Sequence, residues 1–172
     1  MINIQELRIK PISEIIKFLE SFINEDFASV DLAKLAYTLN VSVLPRNFGG
    51  TKISGDPITS AFVKNSKGNS CIFYSDDLSN NQARIAITQA FAKYIITGNN
   101  NFFITLSTTF SKKENMLIHE MLMPESQVKD VICRLIFPTT FTLSQIFQVS
   151  QNFVRQRLDE MGVMTLIAGY HF

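Results

Sequence analysis

The segment Gln82-Ala-Arg-Ile-Ala-Ile-Thr-Gln-Ala-Phe-Ala-Lys-Tyr-Ile-Ile-Thr97 is apolar around most of a helical circumference. A helix of that kind has no broad face to offer to water, so it lies inside a domain with other elements packed around it. Its polar exceptions share one stripe, because Gln82, Gln89 and Lys93 are spaced by seven and four residues. A narrow polar stripe on a buried helix either reaches solvent or lines a cleft.

The rest of the chain supplies the covering layers. With 172 residues, of which 46% are hydrophobic, it can bury one substantial core. Ile12, Ile15, Ile16, Leu19 and Phe22 have helical spacing, with Glu14, Lys17 and Glu20 on the other face. Asp31 can cap a helix carrying Leu32, Leu35, Ala36 and Leu39. A short strand over 41–44 follows and is expected to end at Pro45, before a loop at 47–50. Residues 59–64 and 70–74 read as a β-hairpin around Gly68. Gly98 and the asparagines after it should stop the central helix. Residues 102–110 read as loop or irregular extended chain. Helices are expected over 112–123 and, beyond Pro124, over 125–136. Pro138 ends the second of these. Two short helices, 143–147 and 151–161, close the pattern with Gly162 as C-cap, and 163–168 forms a final strand or tail. The expected class is α/β (α+β), a single domain over residues 1–172 with parts at 1–137 and 138–172.

Composition narrows the setting. Fifteen Phe and no Trp place most aromatic rings in the core or in an apolar groove, since Phe has no polar handle. The net charge of +1 gives no global pull toward nucleic acid, although a local basic face is compatible with it. Cys71 and Cys133 lie in no partner motif and read as reduced, buried thiols of a cytoplasmic protein. No signal peptide and no membrane span is read.

Three blocks carry a family resemblance. Ala86-Ile-Thr-Gln-Ala-Phe-Ala-Lys-Tyr-Ile-Ile-Thr-Gly98, with Arg84 before it, keeps the frame of a helix reading Thr-x-Ala-His-Glu-x-x-His-Tyr-x-x-x-Gly. Lys113-Glu-Asn-Met-Leu-Ile-His-Glu-Met-Leu-Met-Pro124 is similar to Glu-Ala-Asn-x-Phe-Ala-x-Glu-Leu-Leu-Met-Pro. The run from Leu143 to Gly162 is similar to the stretch with which that family often ends, and Val30-Asp-Leu-Ala-Lys-Leu-Ala36 fits its beginning. In these blocks the chain resembles the ImmA/IrrE family of zinc peptidases. The resemblance implies a zincin-like domain with a central buried helix beside a small sheet, followed by a C-terminal helical, helix-turn-helix-like part. Active members cleave transcriptional repressors, often in phages and mobile elements, so a regulatory setting is implied.

The residues that define the family's chemistry are replaced. Gln89 and Lys93 stand where the first and second zinc histidines would be, Ala90 where the catalytic glutamate would be, and Lys113 where the third ligand would be. A catalytic zinc needs about three protein ligands, and the reaction needs a general base beside it. Gln89 is a weak neutral donor, the two ammonium groups offer no lone pair at neutral pH, and Ala90 cannot take a proton. Glu114 adjoins Lys113, but one residue of helix turns a side chain by roughly 100°. The resemblance and these losses together imply no metal, no cofactor and a catalytically inactive pseudo-peptidase that binds a protein partner. One use of the substitutions is electrostatic: Lys93 could replace the zinc charge by pairing with Glu114 or Glu120. The other reading is that it snorkels to water. His119 reads as a helix-surface or packing residue rather than a metal ligand.

The last two helices also read as a helix-turn-helix, packed through Leu143, Ile146, Phe147, Val149, Val154 and Leu158, with Ser150 as cap. Its second helix would present Gln151, Asn152, Arg155 and Gln156, residue types suited to base and phosphate contacts. Asp159 and Glu160 directly behind them, and Gln148 where glycine is common, weigh against that use. The expectations are therefore a regulatory protein-binding module, with DNA binding through this segment, or a peptidase with an unrecognised site, as the alternatives.

Overall fold

The computed structural model describes residues 4–24, 29–65, 68–97, 101–106 and 110–167. Two short helices, α1 (Ile4–Arg8) and α2 (Ile12–Glu20), precede a two-residue antiparallel pair, β1 (Ile23–Asn24) and β2 (Ser29–Val30). Asp31 then caps α3 (Leu32–Thr38), its carboxylate accepting from the amides of Ala33 and Lys34 at 3.0 Å.

The sheet is mixed. Strand β3 (Val41–Arg46) runs parallel to β6 (Ser70–Ser75), with Val41 opposite Ser70 and Arg46 opposite Ser75. Strand β5 (Asp56–Lys64) pairs antiparallel with β6 on one side and with β7 (Phe102–Leu106) on the other, and β4 (Lys52–Ile53) folds back on its first residues. One expectation changes here and another is narrowed. Strand β3 does not stop at Pro45: that residue sits in register opposite Tyr74. Because β3 lies at the sheet edge, the missing N–H of proline costs no ladder bond on its open side. Residues 102–106 are the extended alternative and not a loop, a strand with one register shift in its pairing, because β5 supplies the order that local pattern lacked.

The apolar helix α4 (Asn80–Thr97) crosses the sheet, packing on β5, β6 and β7. Ser79 and Gln82 start it: the Gln82 amide oxygen accepts from the Ser79 amide at 3.0 Å and from its hydroxyl at 2.9 Å. The contact to the sheet is aromatic. Phe62 of β5, fully buried, stacks on Tyr94 of α4 and on Phe103 of β7, with centroids 4.5 and 4.9 Å apart. The stop expected at Gly98 lies outside the described residues.

On its other side α4 meets α5 (Lys112–Leu122), which begins in a capping box between Ser111 and Glu114. Pro124 separates α5 from α6 (Glu125–Arg134), which ends two residues earlier than expected. The last pair, α7 (Thr140–Phe147) and α8 (Gln151–Glu160), shares the same apolar core through Leu143, Phe147, Val154 and Leu158. Helix α7 starts at Thr140 rather than Leu143 because Thr139 and Thr142 form a second capping box. After Gly162, with φ of 66°, residues Met164–Leu166 form a 3-10 turn and not a strand. Cys133 is exposed, contrary to expectation, and Cys71 is partly buried; both are free thiols. Among the described Phe residues, Phe22, Phe62, Phe91, Phe103 and Phe147 are buried, whereas Phe102, Phe137 and Phe141 are exposed. Among the described residues, no helix is long and apolar enough to cross a membrane.

Candidate functional site

Gln89, Ala90 and Lys93 stand on consecutive turns of α4. Ala90 is fully buried and carries no group that could move a proton. Gln89 is half-buried and, like exposed Lys113 in the first turn of α5, makes no side-chain hydrogen bond or ion pair among the described residues.

Lys93 does something specific. Its ammonium donates to the Ile104 carbonyl at 3.2 Å and lies 5.4 Å from the centroid of the Phe103 ring. The strand register says which way that carbonyl faces. The Lys64 amide donates to the Asn101 carbonyl at 2.7 Å, so the peptide groups of Asn101 face β5. Pairing then steps one residue at a time, Val63 to Phe102, Phe62 to Phe103 and Ala61 to Ile104. Antiparallel strands alternate, so Phe103 faces β5 and Ile104 faces away from it. Among the described residues no strand lies on that side of β7. Lys93 thus reaches from the central helix to the open edge of the sheet.

The expected pairing of Lys93 with Glu114 or Glu120 is not made among the described residues. Glu114 is occupied by its cap, accepting from the Ser111 amide at 2.6 Å. Glu120 belongs to a different network. One of its oxygens takes a hydrogen bond and ion pair from Arg157 of α8, and the other accepts from the Glu125 amide at 3.0 Å. Arg157 also donates through Nε to the Met123 carbonyl at 3.0 Å, while Glu160 lies 4.0 Å from its Nη1. The other tie of Glu160 is to His119, with Nδ1 and Oε2 at 2.6 Å. His119 is buried, edge-on to Phe153 at 4.7 Å between centroids, which is the packing role and not the surface role of the two the sequence allowed. Three of these four side chains, Glu120, Arg157 and Glu160, line a cleft of about 610 Å³ that also touches Ile16, Asn115 and Met116. Sequence reasoning missed it. The signal was Arg157, which shares the apolar stripe of Val154 and Leu158 and so needed a buried acceptor.

A partly buried cation braces α4. The Arg84 guanidinium donates to the carbonyl of Phe147 at 2.9 Å and to that of Leu122 at 3.4 Å. Burial pushes its pKa below the ordinary value. These carbonyls lie at the C-terminal ends of α7 and α5, where unpaired acceptors accumulate and a cation is favoured.

A family-implied zinc does not fit what is here. Lys93 directs an ammonium at a carbonyl, Ala90 has no donor atom, and Gln89 offers one neutral amide. Among the described residues no group of three or more His, Cys, Asp or Glu is placed to hold a metal ion.

Gln151, Asn152, Arg155 and Gln156 are all exposed on α8. Gln151 accepts from the Thr140 hydroxyl at 3.4 Å, and the other three make no side-chain hydrogen bond or ion pair among the described residues. The structure brings Gln89 and Lys93 together on one side of α4. Among the described residues neither of them makes a side-chain hydrogen bond or ion pair with Lys113 or with the α8 residues. Comparison with family models, with curated proteins and with solved structures finds no match.

Proposed function

We propose that this chain is a catalytically silent, zincin-like relative of the ImmA/IrrE peptidases that regulates by binding a protein, a transcriptional repressor of a phage or mobile element. The observation that carries the reading is the bond from Lys93 to the outward carbonyl of Ile104. A helix position that would hold zinc in an active member instead ties the helix to the edge strand. Buried Ala90 leaves no base to activate water. What survives of such a site is its capacity to hold a chain: β7 offers an open edge, and an extended segment of a partner can add to such an edge as a further strand. Lys93 adds a charged donor beside it.

Two measurements test the halves separately. Protein purified without chelator and then offered zinc should retain less than about a tenth of an equivalent. Near one equivalent, surviving dialysis, would return the peptidase reading. For binding, purified helix-turn-helix repressors of the same mobile element are titrated against the chain and followed by gel for cleavage. The expected result is a complex without cleavage, weakened roughly tenfold or more by Ile104→Pro, which removes an outward N–H and leaves the β5 ladder intact. Cleavage, or no complex with any of the repressors, would overturn the proposal.

A further inference from the structure

We infer that α7 and α8 form a helix-turn-helix that binds duplex DNA, with Gln151, Asn152, Arg155 and Gln156 entering a groove. This stands apart from the pseudo-peptidase reading and uses a different face of the molecule.

The geometry answers two objections that the sequence raised. The first was Gln148 in the turn. Three residues, 148–150, join the helices, and Gln148 adopts φ 52° and ψ 46°, the left-handed conformation for which glycine is otherwise chosen. Gln148 therefore takes the left-handed conformation of that turn position without being a glycine. The second was the acidic pair at the end of α8. Glu160 is turned toward His119 and Arg157, so its charge is engaged within the protein. Asp159 remains exposed, seven residues beyond Asn152 and roughly 10 Å along the helix. In a docked helix-turn-helix, base edges are read by the N-terminal residues of the second helix.

The two helices are also tied to each other and to the core. The Thr140 hydroxyl donates to the Gln151 side chain, joining the first turns of the two helices. Val154 and Leu158 are fully buried, and Arg157 is pinned to Glu120 and the Met123 carbonyl. Fixing that side of α8 leaves the opposite side to solvent. There Asn152, Arg155 and Gln156 lie within one turn, with no ion pair among the described residues to occupy the guanidinium. Amide and guanidinium groups are the side chains that form paired hydrogen bonds with adenine and guanine edges in the major groove. An exposed helix face made of these groups suits a polar and anionic partner.

The chain's net charge of +1 makes the expected affinity modest. The test is fluorescence anisotropy of the full chain with a labelled random-sequence duplex pool at low and rising salt, followed by selection from that pool. Binding should be in the micromolar range at low salt and fall as salt rises. Arg155→Ala should weaken binding about fivefold to tenfold and reduce the salt slope by about one. Asn152→Ala and Gln156→Ala should change the selected sequence more than the affinity for the pool. Lys52→Ala, on β4 and outside the α7–α8 unit, should leave binding unchanged. Circular dichroism matching the parent establishes that each variant is folded. No binding at low salt overturns the inference, as does binding that Arg155→Ala and Arg155→Glu leave unchanged. Loss of repressor binding on the same α8 substitutions, with no DNA binding by the parent, would assign the face to a protein instead.

Discussion

Arg157 of α8 and Glu120 of α5 form an ion pair with both side chains more than nine-tenths buried, and each has a backbone partner as well. This pair, rather than anything on α4, is where the molecule concentrates buried charge, and it fixes the last helix against the interior.

Breaking that pair on one side should cost much more than replacing both partners. Glu120→Leu alone leaves a buried guanidinium without its carboxylate, and Arg157→Met alone leaves a buried carboxylate without its guanidinium, so each should lose about 3–5 kcal/mol of stability. Arg157→Met combined with Glu120→Leu should lose less than either single change. Urea denaturation of the two singles and the double measures the coupling, and additive losses would contradict the pairing.

Thr105 of β7 is fully buried, and its hydroxyl has no hydrogen-bond partner among the described residues. Thr105→Val keeps the shape and removes the orphaned group, so stability should rise by about 1 kcal/mol. A thermal denaturation midpoint that falls instead would mean the hydroxyl is satisfied.

The turn between α7 and α8 carries a small stored cost. Gln148 is left-handed, a conformation that disfavours a side chain by about 1–2 kcal/mol. Gln148→Gly should therefore stabilise by about 1 kcal/mol, and Gln148→Val should destabilise. Chemical denaturation of both variants reads the sign.

The two thiols should react at different rates. Burial raises the pKa of Cys71, which keeps it protonated at pH values where an ordinary thiol begins to ionise. Cys133 is exposed. Since the thiolate is the nucleophile, iodoacetamide at pH 8 should label Cys133 first, with Cys71 following as pH rises further or as the protein unfolds. Mass spectrometry of a time course shows the order, and equal rates would contradict it.

Much of this architecture was legible in the residue order. The apolar circumference of 82–97 required a buried helix, and α4 lies between the sheet and α5. Asp31 and Ser150 cap the helices that follow them, because capping needs only a side chain and the next three amides. Pro124 breaks the helix where local sterics demand it. The side-chain chemistry at Gln89, Ala90 and Lys93 was likewise readable, since residue type alone decides whether a lone pair or a base is on offer. What those side chains bond to was not. Pairing partners in space decided that β7 is a strand, that Pro45 can sit within an edge strand, and that Lys93 bonds Ile104 and not Glu114 or Glu120. They also decided that Arg157, His119 and Glu160 meet between α5 and α8. Local pattern determined the elements because propensity, capping and periodicity act within a few residues. The charge network and the open sheet edge came from tertiary structure, since each depends on groups brought together across a distance in sequence that no local signal spans.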